Sequence, residues 1–441
     1  MKTRINLSIS IMFLFGFILW SCQKSPEMSK PVSRATLTEF SPVSGGPSTI
    51  LTLHGAGFGN DPSDVKVTIN GKDAVVKSVN DNTITAEVQK RTSSGTVRVI
   101  LGQRPNAQVL IYDSPFTYMS AQIVSTYLGG KEAGENDGDV SSATLSKPRY
   151  LAWGADGVLY FVEDGGSSAS DMACIRVLRN NTVSTILKAA ESSLVQRMRG
   201  IGLSKDESTM YIANDSNADG SMGFGKMTKS NGKFADLTSL WNNSGITFTT
   251  VQPTNGRVYI AVHSGSKIYE LVDDSFVEKT SLPDASGSPA SKGNVNGMTW
   301  SKDGKTVFFS SRKNHVVYRG EYDVESGDFK NVKIFAGTFG KSGYADGVGT
   351  AALFNEPSQM DVDAEGNLYV ADRNNNCIRL ITPEGEATTY AGSSQSGYVD
   401  GLSSVATFSN PEGCQFGPDG ALYIADYSNN AIRKIEEGSI Q

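Results

Sequence analysis

The sequence predicts an all-β protein in which a small strand-rich domain precedes a closed ring of six sheets. Three observations carry this expectation. One stretch is written twice: Ser342 to Leu380 (SGYADGVGTAALFNEPSQMDVDAEGNLYVADRNNNCIRL) and Ser396 to Lys434 (SGYVDGLSSVATFSNPEGCQFGPDGALYIADYSNNAIRK) align without a gap at an offset of 54 residues. Self-similarity at such a period marks solenoids, propellers and arrays. The heart of that repeat, a short apolar strand holding Tyr or Phe, recurs six times along the chain, mostly after a tight Gly turn. Finally, Gly is abundant (46 residues) and apolar runs beyond the N-terminus are short, which suits a turn-rich β protein.

Taken in order, the chain opens with an address. Lys2 and Arg4 precede an apolar run from Ile5 to Trp20, shorter than the roughly 20 residues of a comfortable membrane span and fitting a signal-peptide core. Its end, Leu19-Trp20-Ser21-Cys22, resembles a bacterial lipobox. The resemblance implies a lipoprotein signal peptide over residues 1–21, acyl chains on Cys22 and a polar tether over 22–31. More than one acyl chain turns marginal membrane binding into stable anchoring. The mature protein is then expected in the cell envelope, at the outer membrane, with periplasmic and surface-exposed placements both open. Cys174, Cys377 and Cys414 remain, an odd number, so no complete disulfide framework is expected.

Residues 32–118 read as the strand-rich domain. Alternation in Ile50-Leu51-Thr52-Leu53, Val65-Lys66-Val67-Thr68-Ile69 and Val97-Arg98-Val99-Ile100 gives strands with one buried face, and Asn70-Gly71 signals a tight hairpin turn. The stretch GGPSTILTLHGAGFG followed by VKVTINGK resembles the IPT/TIG family, which implies an immunoglobulin-like β-sandwich. That fold says little about function by itself. His54 has no companion ligands nearby and reads as structural.

Residues 122–441 read as the ring. The six strand cores are Leu159-Tyr160-Phe161-Val162, Met210-Tyr211-Ile212-Ala213, Val258-Tyr259-Ile260-Ala261, Val307-Phe308-Phe309-Ser310, Leu368-Tyr369-Val370-Ala371 and Leu422-Tyr423-Ile424-Ala425. Strands so short and buried need closure to hide their edges, which a β-propeller supplies. The last repeat ends on a third strand at Ile432 to Ile435, while Ile123 to Gly129 matches the fourth strand Ala387 to Gly392. Residues 122–129 are therefore expected to complete the last blade and clasp the ring. The motif of Asp-Gly, then Pro, G-x-LYVAD and N-x-IR is sharp in blades five and six. It is recognisable in blade one, where Asp137-Gly138 and Pro148 keep the spacing of Asp346-Gly347 and Pro357. It resembles the NHL-repeat family, which implies a six-bladed NHL-type β-propeller. An IPT/TIG domain, NHL repeats and a lipobox together resemble a group of Bacteroidetes lipoproteins of outer-membrane nutrient uptake.

Counting eight residues back from each turn Gly, or its equivalent, places Arg149, Arg199, Phe248, Asn296, Ser358 and Glu412 at the channel mouth. The residues after each second strand, Asp164, Asp215, His263, Arg312, Arg373 and Tyr427, emerge on the same face, with the Tyr344 and Tyr398 loops beside them. Such a ring suits a polar small molecule or a glycan, and it also suits a solvated rim. Trp241, between blades, is a candidate for stacking on a sugar, with a core role the alternative. Asp372 and Asp426 recur at equivalent positions, which favours a shared structural task, capping donors of the following turn, over metal binding. Trp153 and Trp300 read as core, and Cys174 and Cys377 as buried thiols in separate blades.

A formal charge of -6 without a Lys/Arg-rich block gives no phosphate-neutralising surface, so no nucleic acid partner is expected. Only three His and four Cys limit metal and nucleophile chemistry, and neither a catalytic residue, a metal nor a cofactor is expected. The reading is a non-catalytic binding or assembly component at the membrane, linked by family resemblance to glycan uptake and a transporter complex. A lyase- or lactonase-like propeller enzyme, which by resemblance would use His or clustered carboxylates around a central metal, and a pure protein–protein scaffold are the alternatives.

Overall fold

The computed structural model describes residues 34–440, save 104, 106, 131, 165–172, 217–219, 243, 244, 263, 264, 291, 292 and 294. The lipobox with Cys22, the tether and His263 lie outside the described residues. Everything described is strand, turn or single 3-10 turns such as Pro62–Asp64.

The first domain is a sandwich folded about one long strand. Lys72–Asn80 pairs with Val65–Ile69 on one side and Thr83–Glu87 on the other, with a bulge between Val76 and Ser78 that lets it pass from one layer to the next. Leu51, Leu53, Val67, Ile69, Ile84, Val97 and Val99 are fully buried between the layers, the alternation read from sequence. The Asn70-Gly71 turn has both φ angles positive (47° and 84°), the two-residue hairpin that Asn-Gly favours.

The second domain is a six-bladed propeller. Blades two, three and four are four-stranded antiparallel sheets, whereas blades one, five and six gain a fifth, two-residue strand from the Asp-Gly motif. In blade six, Ser120–Gly129 is inserted beside Ala431–Ser439, pairing from Ser120↔Ser439 to Gly129↔Ala431. The clasp expected from the sequence is thus present. The inner strands are stitched together across the axis. Gln359 accepts from the amides of Leu151 and Cys414, Asp361 from that of Phe416, and Gln415 from that of Trp153.

What the NHL-like motif does is visible in three blades. Arg176, Arg379 and Arg433 are fully buried, and each ties the Asp of its Asp-Gly loop to the second strand. Arg433 bonds Asp400 and, at 2.8 Å, Asp426; Arg379 bonds Asp346 at 2.8 Å and Asp372 at 3.2 Å. Blade one substitutes Glu163, 3.5 Å from Arg176. Asp372 and Asp426 are therefore structural, but not by capping the turn that follows. They accept from the preceding-loop amides of Asn355 and Ser409 at 2.7 Å and hold the buried arginines, while the next 3-10 turn has no side-chain cap. Burial pushes both carboxyls up to about 6 despite these partners. Cys174, Cys377 and Cys414 are buried and unpaired.

One residue, Met119, separates the two domains. The sandwich packs under blades five and six, where Glu437 accepts from Tyr118 Oη (2.8 Å), Ser120 Oγ (2.6 Å) and the Arg91 amide (2.6 Å), and Lys90 pairs with Glu436 at 2.6 Å. These contacts fall where third strands end and where the Glu365 turn lies. That is the opposite end of the blades from the residues that begin each inner strand.

Candidate functional site

Each inner strand carries the same irregularity. Pairing with the second strand slips between Pro148 and Tyr150, Met198 and Gly200, Ile246 and Phe248, Val295 and Gly297, Pro357 and Met360, and Pro411 and Gly413. A bulge re-aims the extra residue and often does so beside functional sites. Here it delivers Arg149, Arg199, Thr247, Asn296, Ser358 and Glu412 to one end of the channel. Five of the six match the sequence expectation. The exception is Phe248, which is buried and packs on Tyr150 with centroids 5.4 Å apart. In blade three the turn Gly lies five residues past the last paired residue of the inner strand (Val251 to Gly256), against four in blades one and four (Trp153 to Gly157, Trp300 to Gly304), so counting back eight residues reached Phe248 and missed Thr247.

The second strands contribute Asp164, Asp215, Arg312, Arg373 and Tyr427, and the two sets lock together. Glu412, with no exposed surface, receives Arg149 at 2.8 Å, Arg373 at 2.8 Å and Arg312, which reaches it from two blades away. Asp164 receives Arg149 (2.6 Å), Arg199 (3.0 Å) and the Tyr427 hydroxyl (3.0 Å). Arg199 also reaches Asp215 at 3.2 Å, and Arg312 donates to Ser358 Oγ at 2.8 Å. Arg373 closes the chain on Glu356 at 2.9 Å. Burial alone would raise the Glu412 carboxyl, but Arg149, Arg312 and Arg373 overcome it and hold the group down at about 2. Burial, reinforced by Asp164, pushes the Tyr427 hydroxyl up to about 12. Arg149 is desolvated, yet Glu412 and Asp164 raise its pKa further.

Above this network lies a cavity of about 310 Å³, at the small end of the roughly 300–1,000 Å³ usual for ligand sites. Arg149, Arg199, Asn296 and Arg312 line it, together with Tyr150, Arg197, Asp215, Thr247, Lys313 and Glu356. Glu412, Asp164, Ser358 and Arg373 support it from below or beside through the bonds just given. Arg197, Lys313, Tyr150 and Glu356 were not foreseen; all four sit within two residues of expected mouth positions, the signal that could have found them. Trp241 is elsewhere, on the outer strand Lys233–Asn242, wedged against Phe276 (4.5 Å) and Tyr269 (5.7 Å). The core alternative is the one realised. Tyr344 and Tyr398 lie over Arg379 and Arg433 (5.4 and 4.9 Å) on the outer loops of blades five and six, covering the buried latch and outside the cavity lining.

The donor set does not fit a metal. Glu412, the carboxylate among the six bulge residues, already carries three guanidiniums. Among the described residues no group of three His, Cys, Asp or Glu side chains is placed to hold an ion.

Comparison with known proteins agrees with this architecture. Residues 35–118 match the IPT/TIG domain, and residues 290–395 match the SMP-30/Gluconolactonase/LRE-like region. NHL repeat-containing protein 2 of Homo sapiens is 36% identical over 98 residues, 21% of this chain and 14% of that protein. Protein SUPPRESSOR OF QUENCHING 1, chloroplastic, of Arabidopsis thaliana is 23% identical over 318 residues, 69% of this chain and 26% of that protein. The chain thus spans about a quarter or less of the length of these relatives. Among solved structures, an auxiliary nutrient binding protein from Bacteroides ovatus ATCC 8483 is 24% identical with a TM-score of 0.66, covering 92% of this chain and 98% of that one. Another from Bacteroides thetaiotaomicron VPI-5482 is 24% identical with a TM-score of 0.63, covering 93% and 98%. At this identity they establish a shared two-domain fold.

Proposed function

We propose that this protein is a non-catalytic binding component of a bacterial cell envelope that captures a small polar nutrient, a glycan or glycan fragment, at the propeller mouth. The observation that carries the reading is the bulge ring: six rigid inner strands present side chains that mutual ion pairs hold in one arrangement around an open cavity. Pre-organised polar groups on a stiff scaffold are what binding requires, because little remains to be ordered when the ligand arrives. The solved relatives described as auxiliary nutrient binding proteins support the same direction.

In this reading Cys22 carries the lipid, the IPT/TIG domain is a spacer, and the mouth, at the far end from that domain, faces away from the anchoring segment. An outer-membrane transporter is then the natural recipient of the ligand. A lactonase- or lyase-like activity is disfavoured because the axial carboxylate is committed to three arginines.

The test is binding of the full-length, detergent-solubilised chain to a panel of soluble mono- and oligosaccharides by calorimetry. A ligand whose binding is abolished by Asn296→Leu, which replaces the polar amide of the lining with an apolar group, is the expected result. Undiminished binding in that variant would place the site elsewhere, and a blank panel with co-purifying membrane proteins would favour the scaffold role. Cys22→Ala should move the protein from the membrane to the soluble fraction.

A further inference from the structure

We infer that the mouth selects a hydroxylated anion, a sugar acid or similar hydroxycarboxylate, over neutral sugars; this rests on the binding role proposed above and names its ligand class. The first observation is charge. The cavity is lined by five cations, Arg149, Arg197, Arg199, Arg312 and Lys313, against two carboxylates, in a protein whose overall charge is -6. A local excess of positive charge at a concave, low-dielectric site concentrates anions there.

The second observation is how the cations are used. Arg149, Arg199 and Arg312 are spent on carboxylates below, although the Arg312 Nε is buried without a hydrogen-bond partner. Arg197 is more than half exposed and stands 3.7 Å from Asp215, beyond hydrogen-bonding reach. Lys313 is exposed at the rim beside Arg312. One layer of arginines therefore builds the floor, and Arg197 and Lys313 face the space above it. Guanidinium recognises a carboxylate with paired, charge-assisted bonds that a neutral hydroxyl cannot match.

The third observation sets the rest of the ligand. Asn296 Oδ1 is buried at this site without a partner. Such groups are ordinarily satisfied, and a specific exception calls for an explanation. A carboxylate offers acceptors alone and cannot satisfy the Asn296 oxygen, which needs a donor. A ligand carrying hydroxyls next to its carboxylate satisfies Asn296 and the rim cations Arg197 and Lys313 together.

The experiment is calorimetry on the full-length chain with D-glucuronate, D-galacturonate and D-gluconate, against D-glucose and acetate. At least one sugar acid should bind, with affinity that falls as salt rises and drops about tenfold or more in Arg197→Ala/Lys313→Ala. Both side chains are exposed, so the double variant should keep the parent's melting temperature. Glucose should not compete, and acetate should compete only weakly. Glucose binding as tightly as the acids, acetate displacing them at equal concentration, sugar-acid binding indifferent to the double substitution, or no sugar acid binding at all would each overturn the inference. A neutral sugar whose binding is lost in Asn296→Leu would do so while leaving the mouth as the binding site.

Discussion

Glu412→Gln removes one charge from the centre of the mouth, and its cost can be worked from the structure. The carboxylate is fully buried, meets three guanidiniums, and has its pKa lowered from 4.5 to about 2. A difference of about 2.5 units at 1.36 kcal/mol each is roughly 3 kcal/mol of native-state stabilisation. That matches the low end of the roughly 3–5 kcal/mol lost when one partner of a buried ion pair is deleted. Because the folded pKa is depressed, this stability is present in full above about pH 5 and is lost as pH falls towards 2. Of the four tryptophans, Trp153, Trp241 and Trp300 lie in the propeller, Trp20 in the expected signal peptide and none in the sandwich, so tryptophan fluorescence of the mature chain during urea unfolding reports this domain. With a urea slope of roughly 3 kcal/mol/M, the variant's midpoint should fall by about 1 M at pH 7. The gap between wild type and variant should narrow steadily below pH 5, since groups such as Asp372 and Asp426 titrate in both proteins and cancel in the difference. An unchanged midpoint at pH 7, or a gap that does not depend on pH, would refute the reasoning.

Three further outcomes are expected. Arg433→Met strands Asp426 in the core and should cost about 3–5 kcal/mol; with the carboxyl already at about 6, thermal melting should show a smaller penalty at pH 5 than at pH 8, where it must be ionised. Leu128→Ala in the clasp strand, at 1% exposure, should cost about 2–5 kcal/mol and speed hydrogen exchange in residues 431–439, which mass spectrometry would locate. Burial pushes the thiols of Cys174, Cys377 and Cys414 up, so none should be alkylated by iodoacetamide in the native protein, and all three should be after unfolding.

The ring was legible because its signals are local and repeated. The Tyr-bearing second strands, the Gly turns and the clasp at 122–129 each announce themselves within ten residues. The mouth was legible to the extent that blades are equivalent. Arg149, Arg199, Asn296, Ser358 and Glu412 follow from a constant count, and Thr247 was missed where the turn Gly of blade three sits one residue later. What could not be read is what depends on distance across the axis. Arg312 finding Glu412 two blades away, or Gln359 bridging three blades, leaves no trace in spacing. Trp241 was misplaced for the reverse reason: lying between recognisable strands in sequence says nothing about lying at the inner or outer edge of a sheet. The Asp of LYVAD was rightly structural, but its arginine partner seven residues on was hidden because no rule of local capping joins them.

The clasp has a consequence for how the chain matures. Ser120 is made early and Glu437 late, 317 residues apart, and the blade they share cannot form until both are present. From the moment the sandwich is complete, the next ten residues are an unpaired strand awaiting a partner, and every nascent blade waits with them for its neighbours. Ring closure is then a late, long-range event, the kind that topology makes slow. An interrupted chain would present raw sheet edges, which invite aggregation. Since Glu437 also secures the sandwich, closing the ring and docking the two domains become a single event carried by one strand.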